Sequence, residues 1–204
     1  MNEPNKKRAI VFIDGQNLFY SVKEAFGYSY PNYDVQLLAE KVCLIQGWDL
    51  TAIRFYTGVP DGQDNDYWHQ FWVRKLTYMG QKGVVVFSRP LRYRNKTVEM
   101  IDGKEYSFPV GQEKGIDVRI ALDIIKLARQ ETYDAALVFS QDQDLSEVAD
   151  EIREIAVRQN RWIKMASAFP VSPTAVNKRG INKTDWVKID KRTYDACIDA
   201  KDYR

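Results

Sequence analysis

From residue 8 to residue 168, short β-branched or aromatic runs alternate with stretches of helical period, and this rhythm constrains the fold more than any other feature of the chain. Strand and helix in repeated succession make a parallel sheet covered by helices. The first run, "RAIVFI" (8–13), is apolar without a break after its arginine, as a strand buried on both faces must be. A helix is predicted from about Asn17 to Phe26, with Leu18, Val22, Ala25 and Phe26 on one stripe and Gln16 or Asn17 near its start. A second helix enters through Asp34 and closes at Gly47. Further strands are expected at 50–59, 83–89, 134–140 and 162–168, and further helices at 64–80, 114–130 and 144–159.

Two segments interrupt this order. "PLRYRNKTVEMIDGKEYSFPVGQE" sets Asp102 and Gly103 between two β-prone arms, and it reads as a hairpin of about residues 90–110 inserted at the sheet's periphery. After residue 168, Pro170 and Pro173 introduce a C-terminal extension (169–204) that is expected to pack back on the domain, with Trp186, Val187 and Ile189 as a small extra strand. A chain of 204 residues with a 45% hydrophobic share supports a single domain over 1–204.

Bulk charge decides little. Thirty Lys and Arg against 28 Asp and Glu leave a net charge of +2, so an anionic partner has to be met by a local basic patch. Cys43 and Cys197 stand far apart without a CxxC, and His69 is the single histidine, which argues against a zinc site and for reduced, buried cysteines. The five apolar residues before Asp14 are too few for a signal-peptide core. No run approaches the ~20 apolar residues that span a bilayer. A cytoplasmic protein without membrane attachment is the expectation.

The acids fall in a pattern. In open α/β sheets ligands bind beyond the carboxyl ends of the strands, where strand order reverses. Asp14 follows the first strand, Asp142 and Asp144 follow the fourth main strand in "VFSQDQDL", and Asp117 opens the helix leading into it. First and fourth strands are neighbours in doubly wound sheets, so these carboxylates are expected at one edge. Simpler roles compete: Asp144 as a helix cap, Asp142 as turn chemistry, and Asp123 as a surface ion pair with Arg119 or Lys126. Asp117 shares a helical stripe with Ala121, Ile124 and Ala128, where an unpaired carboxylate is costly. Converging carboxylates without His or Cys repel one another, and a hard divalent cation is the usual remedy. Mg²⁺ or Mn²⁺ fits best, and such an ion activates water against a phosphodiester. Asn17 is placed to meet a metal-bound water or a phosphate oxygen, and Lys114 the substrate backbone.

Three stretches in order, "FIDGQNLF", "EKGIDVRIALDI" and "LVFSQDQDL", resemble the motifs of the NYN-domain family of PIN-like ribonucleases. The resemblance implies a PIN-like Rossmannoid α/β fold, a parallel sheet flanked by helices, and metal-dependent endonucleolytic cleavage of RNA. It puts Asp14, Asp117, Asp142 and Asp144 on the acidic positions, Asn17 on the polar residue after the first acid, and Asp123 on a frequent acid of the central helix. Gln141 and Gln143 depart from the small residues many relatives carry, which is expected to narrow the site or alter substrate approach.

A route for RNA is also legible. Arg89, Arg92, Arg94 and Lys96 occur with no acid between them, and alternation puts Arg92, Arg94 and Lys96 on one face of a strand. Tyr93, with Tyr106 and Phe108, is a candidate for stacking on unpaired bases; a charged edge strand protected from aggregation is the competing reading. Trp68, Phe71, Trp72, Lys75 and Tyr78 recur at helical spacing, which favours core packing or a homodimer contact. His69 is given no catalytic role. The alternatives to a nuclease are a non-catalytic RNA-binding or protein-docking module on the same fold and a small phosphotransfer or phosphatase domain.

Overall fold

The computed structural model describes residues 1–100 and 105–203. In chain order the elements are β1 (Lys7–Asp14), α1 (Gly15–Phe26), α2 (Val35–Gln46), β2 (Trp48–Val59), α3 (Asp66–Gln81), β3 (Val85–Pro90), β4 (Arg92–Glu99), β5 (Glu105–Gln112), α4 (Ile116–Arg129), β6 (Ala135–Phe139), α5 (Ser146–Arg158), β7 (Lys164–Pro170), β8 (Asp185–Ile189) and α6 (Lys191–Asp195). Six strands form one sheet in the order β3-β2-β1-β6-β7-β8, every neighbouring pair parallel. The chain builds outward from β1 to β3, then returns through α4 to β6 on the other side of β1. That reversal puts the crevice between the carboxyl ends of β1 and β6.

Side-chain alternation along β1 explains why its apolar run is continuous. Ala9, Val11 and Ile13 enter one core with Leu18, Val22, Leu38, Phe71 and Trp72. Ile10 and Phe12 enter the other with Ile116, Ile120, Ile124, Val148 and Ile152. Helices therefore cover both faces, and a polar residue within this strand would be buried whichever way it pointed.

Helix starts follow local chemistry. Asp34 accepts the N–H groups of Gln36 and Leu37 at the start of α2, and Asn65 accepts that of Trp68 in α3, each satisfying a donor that the first turn leaves unpaired. Helix α1 starts earlier than the sequence suggests, because Asp14 itself is the cap. The last long helix is likewise entered through a single 3-10 turn, Gln143–Leu145, so that α5 proper begins at Ser146.

The extension after β7 joins the molecule as expected. Strand β8 pairs with β7, and Tyr194, Cys197 and Tyr203 enter the first core. The fully buried Lys75 donates to the Tyr33 carbonyl at 2.8 Å and pairs with Asp199 at 3.0 Å. Burial lowers the pKa of this lysine against the pull of Asp199. The inserted hairpin forms as expected: β4 and β5 pair with each other, as an antiparallel sheet of their own beside the main one. Its Asp102-Gly103 turn lies outside the described residues. Cys43 and Cys197 are free and buried, and among the described residues no helix is long and apolar enough to cross a membrane.

Candidate functional site

Strand β1 delivers Asp14 to the crevice almost fully buried, at 6% exposure. One carboxylate oxygen accepts the Asn17 N–H at 3.0 Å, and the Ser140 hydroxyl reaches the other at 3.4 Å. The turn after it requires glycine: a Cβ on Gly15 would come within 2.6 Å of the Phe55 ring and 3.0 Å of the Tyr56 carbonyl. On the other side of the switch point, Asp142 accepts the Asp144 N–H at 3.0 Å. Asn17 bridges the two sides, its Oδ1 accepting the Gln141 N–H at 2.9 Å. Asp117 arrives from the first turn of α4. These groups line an open cavity of about 380 Å³ together with Glu113, Gln16, Tyr20, Ser21, Glu24 and Asn177.

Glu113 is the residue the sequence reading passed over. It opens the stretch that carries Asp117 and accepts the Gly58 N–H. Gly58 is needed for this approach, since a Cβ there would meet Glu113 Cγ at 2.6 Å. The only signal was its place four residues before Asp117, and nothing local separates it from an ordinary loop glutamate.

The cavity is electrostatically strained. Burial, reinforced by the negative charges of Asp142 and Asp117, pushes the Asp14 carboxyl up to about 6 despite the Asn17 N–H. Burial, followed by the charges of Asp14 and Asp117, pushes Glu113 up to about 7. Every donor here is an oxygen, so the chemistry suits a hard cation rather than zinc. Among the described residues, however, no group of three Asp, Glu, His or Cys is already gathered as a ligand set.

Two of the anticipated acids lie elsewhere. Asp144 is exposed in the middle of the 3-10 turn and does not line the cavity. Asp123 is buried at 5% exposure among Arg119 (3.0 Å), Arg54 (3.1 Å) and the Tyr56 hydroxyl (2.8 Å). The pairing with Arg119 matches the ion-pair reading, but it is buried, and the partner added by the fold is Arg54 rather than Lys126. A carboxylate held by two guanidiniums in this way has its oxygens committed. The stripe assigned to Asp117 is shifted by one residue as well: Ile116, Ile120, Ile124 and Ala128 are buried, while half-buried Asp117 stands at the edge of that face, on the cavity.

Gln141 lines the cavity, as its place beside Asp142 suggested, and both glutamines also fasten the C-terminal extension. Gln141 accepts the Ser21 hydroxyl at 2.8 Å and donates to the Arg179 carbonyl at 2.8 Å. Gln143 donates to the Gly180 carbonyl and accepts the Asn182 N–H, each at 3.0 Å. Their bulk serves a segment that also brings Asn177 to the cavity wall.

The basic residues form a neighbouring surface. Arg89, Arg92 and Lys114 line one cleft with Leu91. Along the hairpin, Arg92, Arg94 and Lys96 are exposed and share a face with their partners Gln112, Val110 and Phe108. Phe108 and Tyr106, 6.0 Å apart, lie on that same basic face. Tyr93 points to the opposite face, against Gly111. In α3, Phe71, Trp72 and Lys75 are buried as the core reading expected, with Trp68 half-buried.

A parallel sheet with this strand order and with carboxylates from the end of β1, the loop after β6 and the first turn of α4 at its switch point is a PIN-like Rossmannoid arrangement. The chain belongs to the NYN domain family, whose model matches residues 8–167. That membership places it in the PIN-like nuclease superfamily, and NYN domains are generally ribonucleases. No curated protein sequence matches the chain. Among solved structures, a Vibrio parahaemolyticus protein of unknown function, VPA0982, shares the fold at a TM-score of 0.53 and 21% identity, with 94% of this chain and 98% of that one covered. Acinetobacter baumannii MurG aligns at a TM-score of 0.32 and 12% identity over 89% of this chain and 45% of that one, too distant to carry an argument.

Proposed function

We propose that this chain is a Mg²⁺- or Mn²⁺-dependent endoribonuclease acting on single-stranded or looped RNA. One observation carries the reading: Asp14, Glu113, Asp117 and Asp142 line one cavity, where burial and their mutual charge push the Asp14 and Glu113 carboxyls up to about 6 and about 7. Carboxylates crowded without compensating cations are suited to a bound metal, and these four are the residues that would hold it. A bound divalent ion supplies a water acidic enough to attack a phosphodiester at neutral pH and stabilises the leaving oxygen.

The chain's own residues do the rest. Asn17 keeps the β1 and β6 sides of the crevice in register through Gln141. The backbone N–H of Asn17 fixes one oxygen of Asp14 and so orients the other. Arg89, Arg92 and Lys114 attract the RNA backbone beside the cavity, and Arg94 and Lys96 extend that attraction along the hairpin.

The test is cleavage of varied RNAs by the purified chain with Mg²⁺ or Mn²⁺, and by Asp14→Asn and Asp117→Asn variants whose folding is checked by circular dichroism. Loss of cleavage in folded variants is the expected result. Wild-type protein that cleaves nothing, or variants that cleave equally well, would overturn the reading. RNA binding that survives chelation, with no cleavage at any metal concentration, would assign the fold to a non-catalytic RNA-binding module instead.

A further inference from the structure

A second pocket, of about 150 Å³, lies between α1 and α3. We propose that it binds one unpaired nucleobase of the RNA strand whose backbone crosses the acidic cavity, a proposal that rests on the ribonuclease reading. Phe19, Tyr20, Trp68 and Trp72 line it. Phe19 and Trp68 are half-buried and Tyr20 is 57% exposed, so aromatic surface is left open beside a charged crevice.

The pocket's neighbours identify the ligand class. Gln16 and Tyr20 line both this pocket and the acidic cavity. Leu91 lines both this pocket and the cleft of Arg89, Arg92 and Lys114. An apolar, aromatic site thus stands between a cationic cleft and a cavity suited to a metal-bound phosphate. Alternation of charged and flat apolar groups is the chemistry of a single nucleic-acid strand, whose phosphates and bases alternate in the same way. A space of this size, below the usual range for drug-sized ligands, takes one ring system and not a base pair.

The walls are held in place before any ligand arrives. Trp68 sits in the first turn of α3, its N–H donating to Asn65 Oδ1 at 3.2 Å, and its ring meets Phe71 edge-on at 5.2 Å. His69 Nδ1 lies 2.8 Å from the Pro60 carbonyl and holds that part of the wall. Besides the Tyr20 hydroxyl, Gln16 and Thr57 are the polar side chains at the pocket, and the Thr57 hydroxyl already donates to the Gly58 carbonyl. Recognition is therefore by stacking, which tolerates any base because each has a π-face.

The test uses the full chain in EDTA, so that binding is read without cleavage. Affinity for a labelled eight-nucleotide single-stranded RNA is measured by anisotropy for wild type, Trp68→Leu and the more exposed Tyr20→Ala. Weakening by about 10-fold in Trp68→Leu and about 3-fold in Tyr20→Ala is expected from loss of one stacked base. A single abasic site moved along the RNA is expected to cost wild type about 10-fold at one position, and to cost Trp68→Leu nothing more there. Unchanged affinity in both variants, an abasic effect equal at all positions, or equally tight binding of duplex RNA would each overturn the pocket. So would a dimer, seen by sedimentation, that covers Trp68. Metal-dependent cleavage without an abasic effect rejects the pocket alone, whereas a position-specific abasic effect without cleavage keeps the pocket and rejects the nuclease reading.

Discussion

Asn17 accepts the backbone N–H of Gln141 at 2.9 Å while its own N–H donates to Asp14 at 3.0 Å. One side chain therefore ties the turn after β1 to the loop after β6, and the relative placement of Asp14 and Asp142 depends on it. Asn17→Ala leaves the Gln141 N–H without its acceptor, a loss of about 1–3 kcal/mol in urea unfolding. Cleavage at saturating RNA is expected to fall by at least ~10-fold, since small displacements of reacting groups are costly. A change in stability below ~0.5 kcal/mol with unaltered cleavage would show that the tie is dispensable.

Burial of the acids, reinforced by their mutual repulsion, predicts a pH signature in metal-free protein. Asp14 and Glu113 have pKa values raised from 3.8 to about 6 and from 4.5 to about 7. The folded state then binds protons that the unfolded state has released, so these groups make stability fall as pH rises from about 4 to about 7. Asp14→Asn and Glu113→Gln, which keep an acceptor oxygen for the Asn17 and Gly58 N–H groups, are each expected to stabilise the metal-free chain by ~1–3 kcal/mol at pH 8 and by much less at pH 4. Added Mn²⁺ is expected to raise the Tm of wild type and not that of Asp14→Asn. Melting curves at the two pH values, with and without the ion, decide both points.

The hairpin's cations predict a salt effect. Replacing Arg92, Arg94 and Lys96 together by alanine removes three exposed positive charges. If all three meet phosphates, the slope of log affinity against log salt for single-stranded RNA becomes shallower by about 2. Stability is expected to change by no more than ~0.5 kcal/mol per site, as is usual for exposed positions. An unchanged slope would mean that the RNA takes another path.

Lys75 is 1% exposed and pairs with Asp199. Lys75→Met leaves that carboxylate without its cation, and breaking a buried pair in this way costs ~3–5 kcal/mol. Adding Asp199→Leu is expected to restore part of the loss. Additive effects in the double-mutant cycle would show that the two residues do not act as a pair.

Gln141 and Gln143 make a prediction about local opening. Replacing both by alanine removes their hydrogen bonds to residues 179, 180 and 182. Faster amide exchange is expected in residues 177–183, with exchange in β1 and β6 unchanged. Equal protection in the variant would mean that the extension is held by other contacts.

The order of elements, the reversal beside β1 and the convergence of Asp14, Asp117 and Asp142 were all readable from the chain. Continuous apolar runs, helical stripes and capping residues are local signals, and the handedness of parallel connections leaves few ways to assemble them. The face of α4 was harder, because periodicity gives the spacing of a stripe and not its absolute rotation. That is why Asp117 was drawn into the core when Ile116 takes that place, and why Asp123 was seen with Arg119 but not with Arg54, 69 residues away.

What the sequence alone determined is the scaffold and the strand end on which Asp14 stands, since both follow from short-range pattern. Only the tertiary structure decided that Glu113 joins the acids through Gly58, that Asp144 and Asp123 stay out, and that Gln141 and Gln143 fasten the extension. Those outcomes depend on distances between residues far apart in the chain and on the burial that sets the energy of each charge.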